Sequence, residues 1–288
     1  MATLSTTSRF PRHEARAAVE RAKGSLDKLV RVGYAAKGAI YVVIGLLAAA
    51  AGVGSGGQTT GSRGAMAAIA GQPFGTVLLA VLAAGLAGYA LWQFYRAAVD
   101  PEHAGAGGTD KKAWARRAGY AISGCINAGL VVAAVRLLTA GGGAGDDDAN
   151  ARGWFATLMS YGFGRAVLGT VGAGVVAFGV REIYRAYTAD LDKQLDLSPL
   201  STRSIRLARG AGRIGIAARG VVLTIVGGFL LVAALRSDPG RAKGLGGALD
   251  ALAAQPYGPW LIAAVALGLV AYGAYNGIRA RYRRVELA

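Results

Sequence analysis

The sequence is poor in the residues that usually build catalytic and metal sites. Its 288 residues include one cysteine, Cys125, and two histidines, His13 and His103. A single cysteine excludes an intrachain disulfide and a cysteine-based metal site, and both histidines lie in polar segments typical of solvated loops. The signature motifs of zinc proteases, serine hydrolases, P-loop proteins and thiol oxidoreductases are also absent. We therefore expect no enzyme activity, no catalytic residues, no cofactor and no metal.

Charged residues are scarce as well, and their signs are unbalanced. They make up 17% of the chain against 53% hydrophobic residues, and 32 Lys and Arg outnumber 16 Asp and Glu, for a net charge of +16. In a soluble protein such an excess would suggest nucleic acid as the partner. The mean hydropathy of +0.39 instead indicates a membrane protein, in which basic residues collect in the loops on one side. We expect no nucleic-acid binding.

Long apolar runs are what the sequence has in abundance. A bilayer core needs about 20 apolar residues in helical form. Six runs satisfy this length and are predicted to span the membrane: 36–55, 75–95, 118–138, 164–184, 215–235 and 258–278. No carboxylate lies in the middle of a run, which argues against a proton-relay pump.

The distribution of basic residues predicts the orientation of these spans. Lys and Arg before the first span, between the second and third, between the fourth and fifth, and after the sixth number 25, whereas the alternate loops hold six. The positive-inside rule then places both termini in the cytoplasm. The abundance of Ala, Gly and Arg suggests a bacterial source, so we expect the plasma (inner) membrane.

The N-terminal segment 1–30 carries charges but lacks the apolar region of a secretory signal peptide. We predict a basic amphipathic helix around Ala15–Leu29. Such a helix is expected to lie on the anionic lipid headgroups of the cytoplasmic face.

The sequence repeats three times along its length. RVGYAAKG at 31–38 returns as RAGYAISG at 117–124 and RIGIAARG at 213–220, each at the start of an odd-numbered span. Twelve-residue segments in the outer loops also align: GAMAAIAGQPFG, GWFATLMSYGFG and GALDALAAQPYG. Their apolar spacing predicts a short amphipathic helix followed by a turn, and the turn of the second copy has Gly162 in place of proline. Each unit is therefore a span, a short outer helix and a second span.

Three units that begin and end on the same side of the membrane run parallel to one another. We predict an all-α integral membrane fold of six transmembrane helices, formed by three parallel two-helix repeats around a pseudo-threefold axis. The predicted order along the chain is the N-terminal segment, repeat 1, a cytoplasmic linker, repeat 2, a second linker, and repeat 3 with a basic tail: 1–30, 31–100, 101–116, 117–190, 191–212 and 213–288.

Comparison of the three copies singles out three sets of residues. Small residues on one face of each span are predicted to pack helix against helix: Gly33, Gly119, Gly215, Ala35, Ala121, Ala217, Gly38, Gly124, Gly220, Gly85, Gly174 and Gly268. Arginines at the cytoplasmic ends are predicted to anchor in the lipid interface: Arg31, Arg117, Arg213, Arg96, Arg185 and Arg279. Polar residues one or two turns further in would line a cytoplasmic vestibule if the bundle axis is open: Gln93, Glu182, Asn276, Lys37, Ser123 and Arg219.

Two functions are compatible with these residues. The first is a non-enzymatic module for membrane packing and interaction, in which the small residues, aromatics and arginines all serve assembly. The second is a small-solute or ion carrier or channel, in which the vestibule residues contact the solute. For Glu182 the alternative is an ion pair with Arg181 or Arg185, and for Asn127 a hydrogen bond between helices. We favour the first function, with the lipid bilayer as expected partner; the sequence identifies no protein partner.

The repeated segments resemble a known family. RVGYAAKGAIYVVIGLLA and GAMAAIAGQPFGTVLLAVLAAGLAGYALWQFYRA, with their two further copies, are similar to the bacterial membrane family catalogued as domain of unknown function 1206. The resemblance covers about residues 31–286. It is weakest in the second unit, where Ser123 replaces a basic residue and Tyr161-Gly162 replaces Gln-Pro. It implies three tandem two-helix units and no particular activity.

Overall fold

The computed structural model of the protein describes residues 12–54, 59–99, 111–140, 147–188 and 201–282. Every regular element in these residues is helical. The α-helices are α1 (Arg12–Gly52), α2 (Ser62–Ala70), α3 (Gly75–Val99), α4 (Lys111–Ala140), α5 (Asp147–Met159), α6 (Gly164–Thr188), α7 (Thr202–Arg236), α8 (Leu245–Ala253) and α9 (Gly258–Tyr282). The first eleven residues, parts of the two predicted linkers (101–110 and 191–200) and the basic tail after residue 282 lie outside the described residues.

Six of these helices are long and apolar enough to cross a membrane. They are α3, α4, α6, α7, α9 and the part of α1 from Val30 to Gly52. Each coincides with one of the predicted spans, which confirms the all-α multi-pass fold. α1 is longer than its span, because it begins at Arg12. The N-terminal helix expected around Ala15–Leu29 therefore continues into the first span without a break.

The short helices α2, α5 and α8 join the two spans within each repeat, as the twelve-residue segments predict. They lie at what we term the cap end of the bundle; the opposite end, which carries the repeat-shared arginines, is the arginine end. The turn after each short helix is closed by the same hydrogen bond in all three repeats, including the one with Gly162. The N–H of Gly75, Gly164 or Gly258 donates to the carbonyl three residues earlier, at 2.7, 2.9 and 2.7 Å respectively. A Cβ at any of these glycines would collide with a carbonyl of the preceding helix, which explains why each segment ends in glycine.

The largest interfaces between spans join one repeat to another rather than the two spans of one repeat. With repeat 1 formed by α1–α3, repeat 2 by α4–α6 and repeat 3 by α7–α9, three large interfaces join successive repeats: α3 with α4, α6 with α7, and α9 with α1. Smaller interfaces join the two spans of repeat 1 and the two spans of repeat 3. The described residues of α4 and α6 form no comparable interface. The threefold equivalence predicted for the bundle is therefore incomplete at repeat 2.

A continuous apolar core fills the space between the spans. Buried side chains from α1, α3, α4, α7 and α9 form it, and residues of α2 and α8 close it at the cap end. Ile44, Leu86 and Leu269 are completely inaccessible within it. Because lipid tails are as apolar as these side chains, the core stabilises the bundle through van der Waals contact rather than through removal of apolar surface from water. Close approach of the helices is therefore what the small residues must provide.

Glycines occupy the tightest points of the large interfaces. A Cβ added at Gly38 on α1 would lie 2.8 Å from the carbonyl oxygen of Gly273 on α9, and one at Gly273 would lie 2.7 Å from that of Gly38. Gly179 and Gly220 approach each other in the same reciprocal way between α6 and α7, at 2.8 Å. Any side chain at these four positions would push the helices apart, because two stretches of backbone meet there directly.

Candidate intramembrane site

The arginine of the R-x-G-Y segment that opens repeats 1 and 2 joins each of them to a neighbouring repeat. Arg31 donates through Nη1 to the carbonyl oxygen of Arg281 at 2.8 Å, which links α1 to α9. Arg117 makes the equivalent hydrogen bond to the carbonyl of Ala98 and links α4 to α3. Arg213, the third copy, is exposed. Two of the three copies thus connect neighbouring repeats at the arginine end.

The tyrosine of the same segment receives an arginine from the facing helix. Arg279 donates to the Tyr34 hydroxyl at 3.1 Å, and its guanidinium lies 4.4 Å from the centre of that ring. Arg96 contacts Tyr120 in the same way, at 2.7 and 3.9 Å. Repeat 3 has Ile216 at this position and offers no hydroxyl. These arginines, predicted as lipid anchors, are therefore engaged in contacts between helices.

Glu182 lies at the centre of a charged and aromatic cluster inside the bundle. Its side chain is 5% exposed and accepts from Arg185 on its own helix, at 2.9 Å, and from Arg219 on α7, at 3.3 Å. Arg219 also donates through Nε to the Tyr41 hydroxyl on α1, at 3.2 Å. Tyr41 meets Tyr272 of α9 edge to face, with 4.8 Å between ring centres. The cluster ties α1, α6, α7 and α9 together, and it includes the ion pair considered as the alternative role of Glu182.

Lys37 belongs to the same cluster. Its ammonium lies 4.2 Å from the centre of the Tyr89 ring, a cation–π contact between α1 and α3. Lys37 lies one turn before Tyr41 on the same face of α1, and Tyr41 accepts from Arg219. Three of the six predicted vestibule residues are therefore brought together.

The other three predicted vestibule residues make their hydrogen bonds elsewhere. Gln93 is 4% exposed and accepts from Arg96 at 3.3 Å. Asn276 is 1% exposed and donates to a backbone carbonyl one turn back on its own helix, at 2.8 Å. Ser123 is half-buried, and its carbonyl accepts from the Asn127 amide at 2.6 Å. That all six residues line one opening stays a prediction.

Repeat 2 is open where repeats 1 and 3 are closed. In repeat 1 a Cβ at Gly33 would lie 2.6 Å from the Cβ of Tyr89, and Gly215 in repeat 3 is just as tightly placed. Gly119, the same position in repeat 2, is exposed, and no described atom of another element lies within 4 Å of its Cβ position. Gly174 on α6 is equally open, although its equivalents on α3 and α9 are buried.

Repeat 2 has a larger residue at the position where the spans of the other repeats meet. A Cβ at Gly85 in repeat 1 would lie 3.0 Å from the Cβ of Ala36, and Gly268 faces Ala218 in repeat 3 more closely still. Repeat 2 has Ile122 in place of these alanines, and its side chain is 61% exposed. Isoleucine does not fit in a space that the Cβ of alanine already fills. Ile122 therefore disfavours an approach of α4 to α6 as close as that between the spans of the other two repeats.

The gap between α4 and α6 is termed the open cleft. Its α4 wall carries Gly119 and Ile122, and its α6 wall carries Gly174 and Phe178, which lie one turn apart on the same face. Phe178 is 40% exposed, whereas the tyrosines at its position in the other two repeats are buried. The cleft thus exposes positions that the other repeats use for their own packing.

The three repeats match a family model. Residues 32–100, 118–189 and 214–283 match the model described as Domain of Unknown Function (DUF1206). The chain belongs to this family. It is also 29% identical over 266 residues to "Uncharacterized protein YxxB" from Bacillus subtilis (strain 168), which covers 92% of this chain and 94% of the relative. No solved structure matches the chain.

In the part of the chain that the structure describes, no group of three or more His, Cys, Asp or Glu is placed to hold a metal ion. A pocket of about 420 Å³ opens between α6 and α7 at the cap end, with Arg165 and Leu231 among its lining residues. Gly162 of the second turn lines this pocket, but none of the predicted vestibule, packing or anchor residues does.

The arginine–tyrosine contacts of this DUF1206 protein are expected to stabilise the joins between repeats. Tyr34→Phe and Tyr120→Phe keep the ring but remove the hydroxyl that accepts from arginine. Each should lower the free energy of unfolding by about 1 kcal/mol, the scale of a hydrogen bond within a membrane protein. Tyr184→Phe changes an exposed tyrosine on α6 and should have no effect. Thermal unfolding in detergent measures all three, and equal losses would contradict the assigned role.

Proposed function

We propose that this protein is a non-enzymatic multi-pass membrane protein that acts as a packing and interaction module. The observation that carries the proposal is the packed apolar core, in which buried side chains from five spans meet and two short helices cover them. An interior of this kind favours assembly over passage of a solute. The polar side chains of Gln93 and Glu182 are engaged with arginines, which supports the same function.

The arginine end is proposed to face the cytoplasm of a bacterium, with the protein in the plasma membrane and both termini inside. The support is the distribution of Lys and Arg, of which 25 lie on that side and six on the other. The Bacillus relative, which is similar over nearly its whole length, is consistent with a bacterial membrane.

The open cleft is the surface through which such a module would act. Repeats 1 and 3 use their shared glycines to pack their own spans, whereas Gly119 and Gly174 leave space beside α4 and α6. Small residues allow a neighbouring chain to approach the helix backbone closely. Repeat 2 therefore presents a face that is shaped for contact and is not covered by the protein's own described residues.

The proposal predicts that the protein alone conducts no solute. In reconstituted liposomes the wild type should release chloride, phosphate, potassium and glycerol no faster than protein-free liposomes. Lys37→Met keeps the length of the side chain but removes its charge, and it should leave this leak unchanged. Release above the protein-free level that Lys37→Met reduces would contradict the proposal.

The second candidate is a carrier or channel for small anions. It is favoured by the composition of the charged cluster, in which Arg185 and Arg219 both pair with the carboxylate of Glu182 and Lys37 rests on the Tyr89 ring. Within a membrane span, unbalanced positive charge attracts anions strongly because the dielectric is low. The release of chloride and phosphate in the same liposome experiment decides between the two candidates.

A further inference from the structure

The charged cluster and the open cleft meet at one side chain. The guanidinium of Arg219 lies 5.6 Å from the centre of the Phe178 ring, and Phe178 belongs to the α6 wall of the cleft. Arg185 follows two turns further toward the arginine end, on the face of α6 that carries Gly174 and Phe178. A molecule lying in the cleft would therefore have arginine side chains beside its polar end.

The cluster holds more positive charge than the protein neutralises. Glu182 accepts from both Arg185 and Arg219, while Lys37 has no carboxylate partner among the described residues and rests on the Tyr89 ring. These cations lie within membrane-spanning helices, where an uncompensated charge is costly. One additional anion at this position would balance the cluster.

We propose that the open cleft binds one anionic phospholipid from the leaflet at the arginine end. Its phosphate lies beside Arg185 and Arg219, and an acyl chain runs along Gly174 and Ile122 toward the cap end. This inference rests on the proposed function, since it names a partner for the interaction surface. A helix from another protein or from a second copy would cover the apolar walls but leave the cations unbalanced, so charge complementarity favours the lipid.

Native mass spectrometry of the full-length, delipidated protein tests the site. Phosphatidylglycerol, phosphatidylcholine and inorganic phosphate are titrated in parallel. The wild type should bind one phosphatidylglycerol at least about tenfold more tightly than phosphatidylcholine, because two or more basic residues contact the anionic headgroup. Inorganic phosphate should bind far more weakly, because it has no acyl chain to fill the cleft.

Two blocking positions and one control position provide the variants. Gly174→Trp and Ile122→Trp fill the cleft from opposite walls and should each abolish the preference for phosphatidylglycerol. Gly228→Trp is the matched control, because a Cβ at Gly228 on α7 also meets nothing within 4 Å, and it should keep the preference. Thermal unfolding checks that each of the three variants is folded. If one blocking variant does not fold, the other tests the site.

Several outcomes would overturn the lipid site. Equal affinity of the wild type for both lipids would do so, as would an unchanged preference in both blocking variants. Binding of inorganic phosphate as tight as that of phosphatidylglycerol would assign the cations to a free anion. Protein dimers that Gly174→Trp dissociates would assign the cleft to a second copy. Liposome flux with an intact lipid preference would refute the proposed function alone, whereas absent flux without a lipid preference would refute the lipid site alone.

Discussion

Replacing Glu182 by glutamine is expected to lower the free energy of unfolding by about 3 kcal/mol, the scale of breaking a buried ion pair from one side. The variant keeps the shape of the side chain but removes the charge that accepts from Arg185 and Arg219. The Arg185 side chain is 35% exposed and can turn toward lipid headgroups. The Arg219 side chain is 19% exposed and donates to Tyr41, so it would stay inside the bundle without a carboxylate.

An exposed ion pair of the same spacing provides the control. Arg241 donates to Asp238 at 3.2 Å, and both side chains are 49% exposed. Asp238→Asn should cost less than about 1 kcal/mol, because exposed pairs contribute little and the amide oxygen still caps the following turn. Both variants are compared with the wild type by thermal unfolding in one detergent. A loss for Glu182→Gln as small as that for Asp238→Asn would contradict the structural role of this carboxylate.

The membrane fold could be predicted from the sequence because its signals are long and repeated. Six apolar runs of sufficient length are hard to place anywhere but in a bilayer, and three copies of the same phrase require three similar units. The predicted packing role of Gly38 and Gly220 agrees with their position against the backbone of another span. The turn at Gly162 was harder to predict from the sequence, because the other copies have proline at this position and the second does not.

The contacts between repeats were harder to predict, although a signal for them exists. Tyr34 and Tyr120 recur at one position, and the arginines that meet them, Arg279 and Arg96, also recur. Helical spacing shows which residues share a face, but it does not show which helix that face meets. Arginines at the ends of spans are therefore interpreted as lipid anchors until the neighbouring helix is known. Repeat 3 is the exception to this pairing, because it has Ile216 where the others have tyrosine. The corresponding arginine, Arg185, pairs with Glu182 instead.

The open cleft lies beyond what comparison of the copies can predict. Gly119 and Gly174 match their equivalents, so the pattern assigns them the same packing role in all three repeats. The sequence does contain the difference, since Ile122 replaces an alanine. The size of this residue has a consequence only because the opposing glycine lies at contact distance in the other repeats. Three repeats of similar sequence therefore close to different extents.

The difference between the open repeat 2 and the closed repeats 1 and 3 links the fold to the proposed function. Large interfaces between successive repeats hold the spans together, so repeat 2 can stay open without loss of the bundle. The charged cluster lies beside the open cleft because Arg219 of α7 contacts both Glu182 and Phe178 of α6. An interaction module with one uncovered face, and cations at one end of that face, follows from these contacts.

Leucine placed at one shared glycine position of each repeat in turn gives the second large effect. Gly33→Leu and Gly215→Leu should each lower the free energy of unfolding by about 3 kcal/mol or prevent folding, because the new side chain would overlap the backbone or Cβ of a facing tyrosine. Gly119→Leu should leave stability unchanged or slightly raised. Its side chain enters free space, and leucine favours a helix more than glycine does.

Thermal unfolding of these three variants in lipid nanodiscs is the most direct test of whether repeat 2 is open. The substitution, the helix face and the depth in the membrane are the same in each, so the closure of the repeat is what differs. We predict a large loss of stability for Gly33→Leu and Gly215→Leu and none for Gly119→Leu. An equal loss at all three positions would show that α4 and α6 close like their counterparts, and would contradict the open cleft.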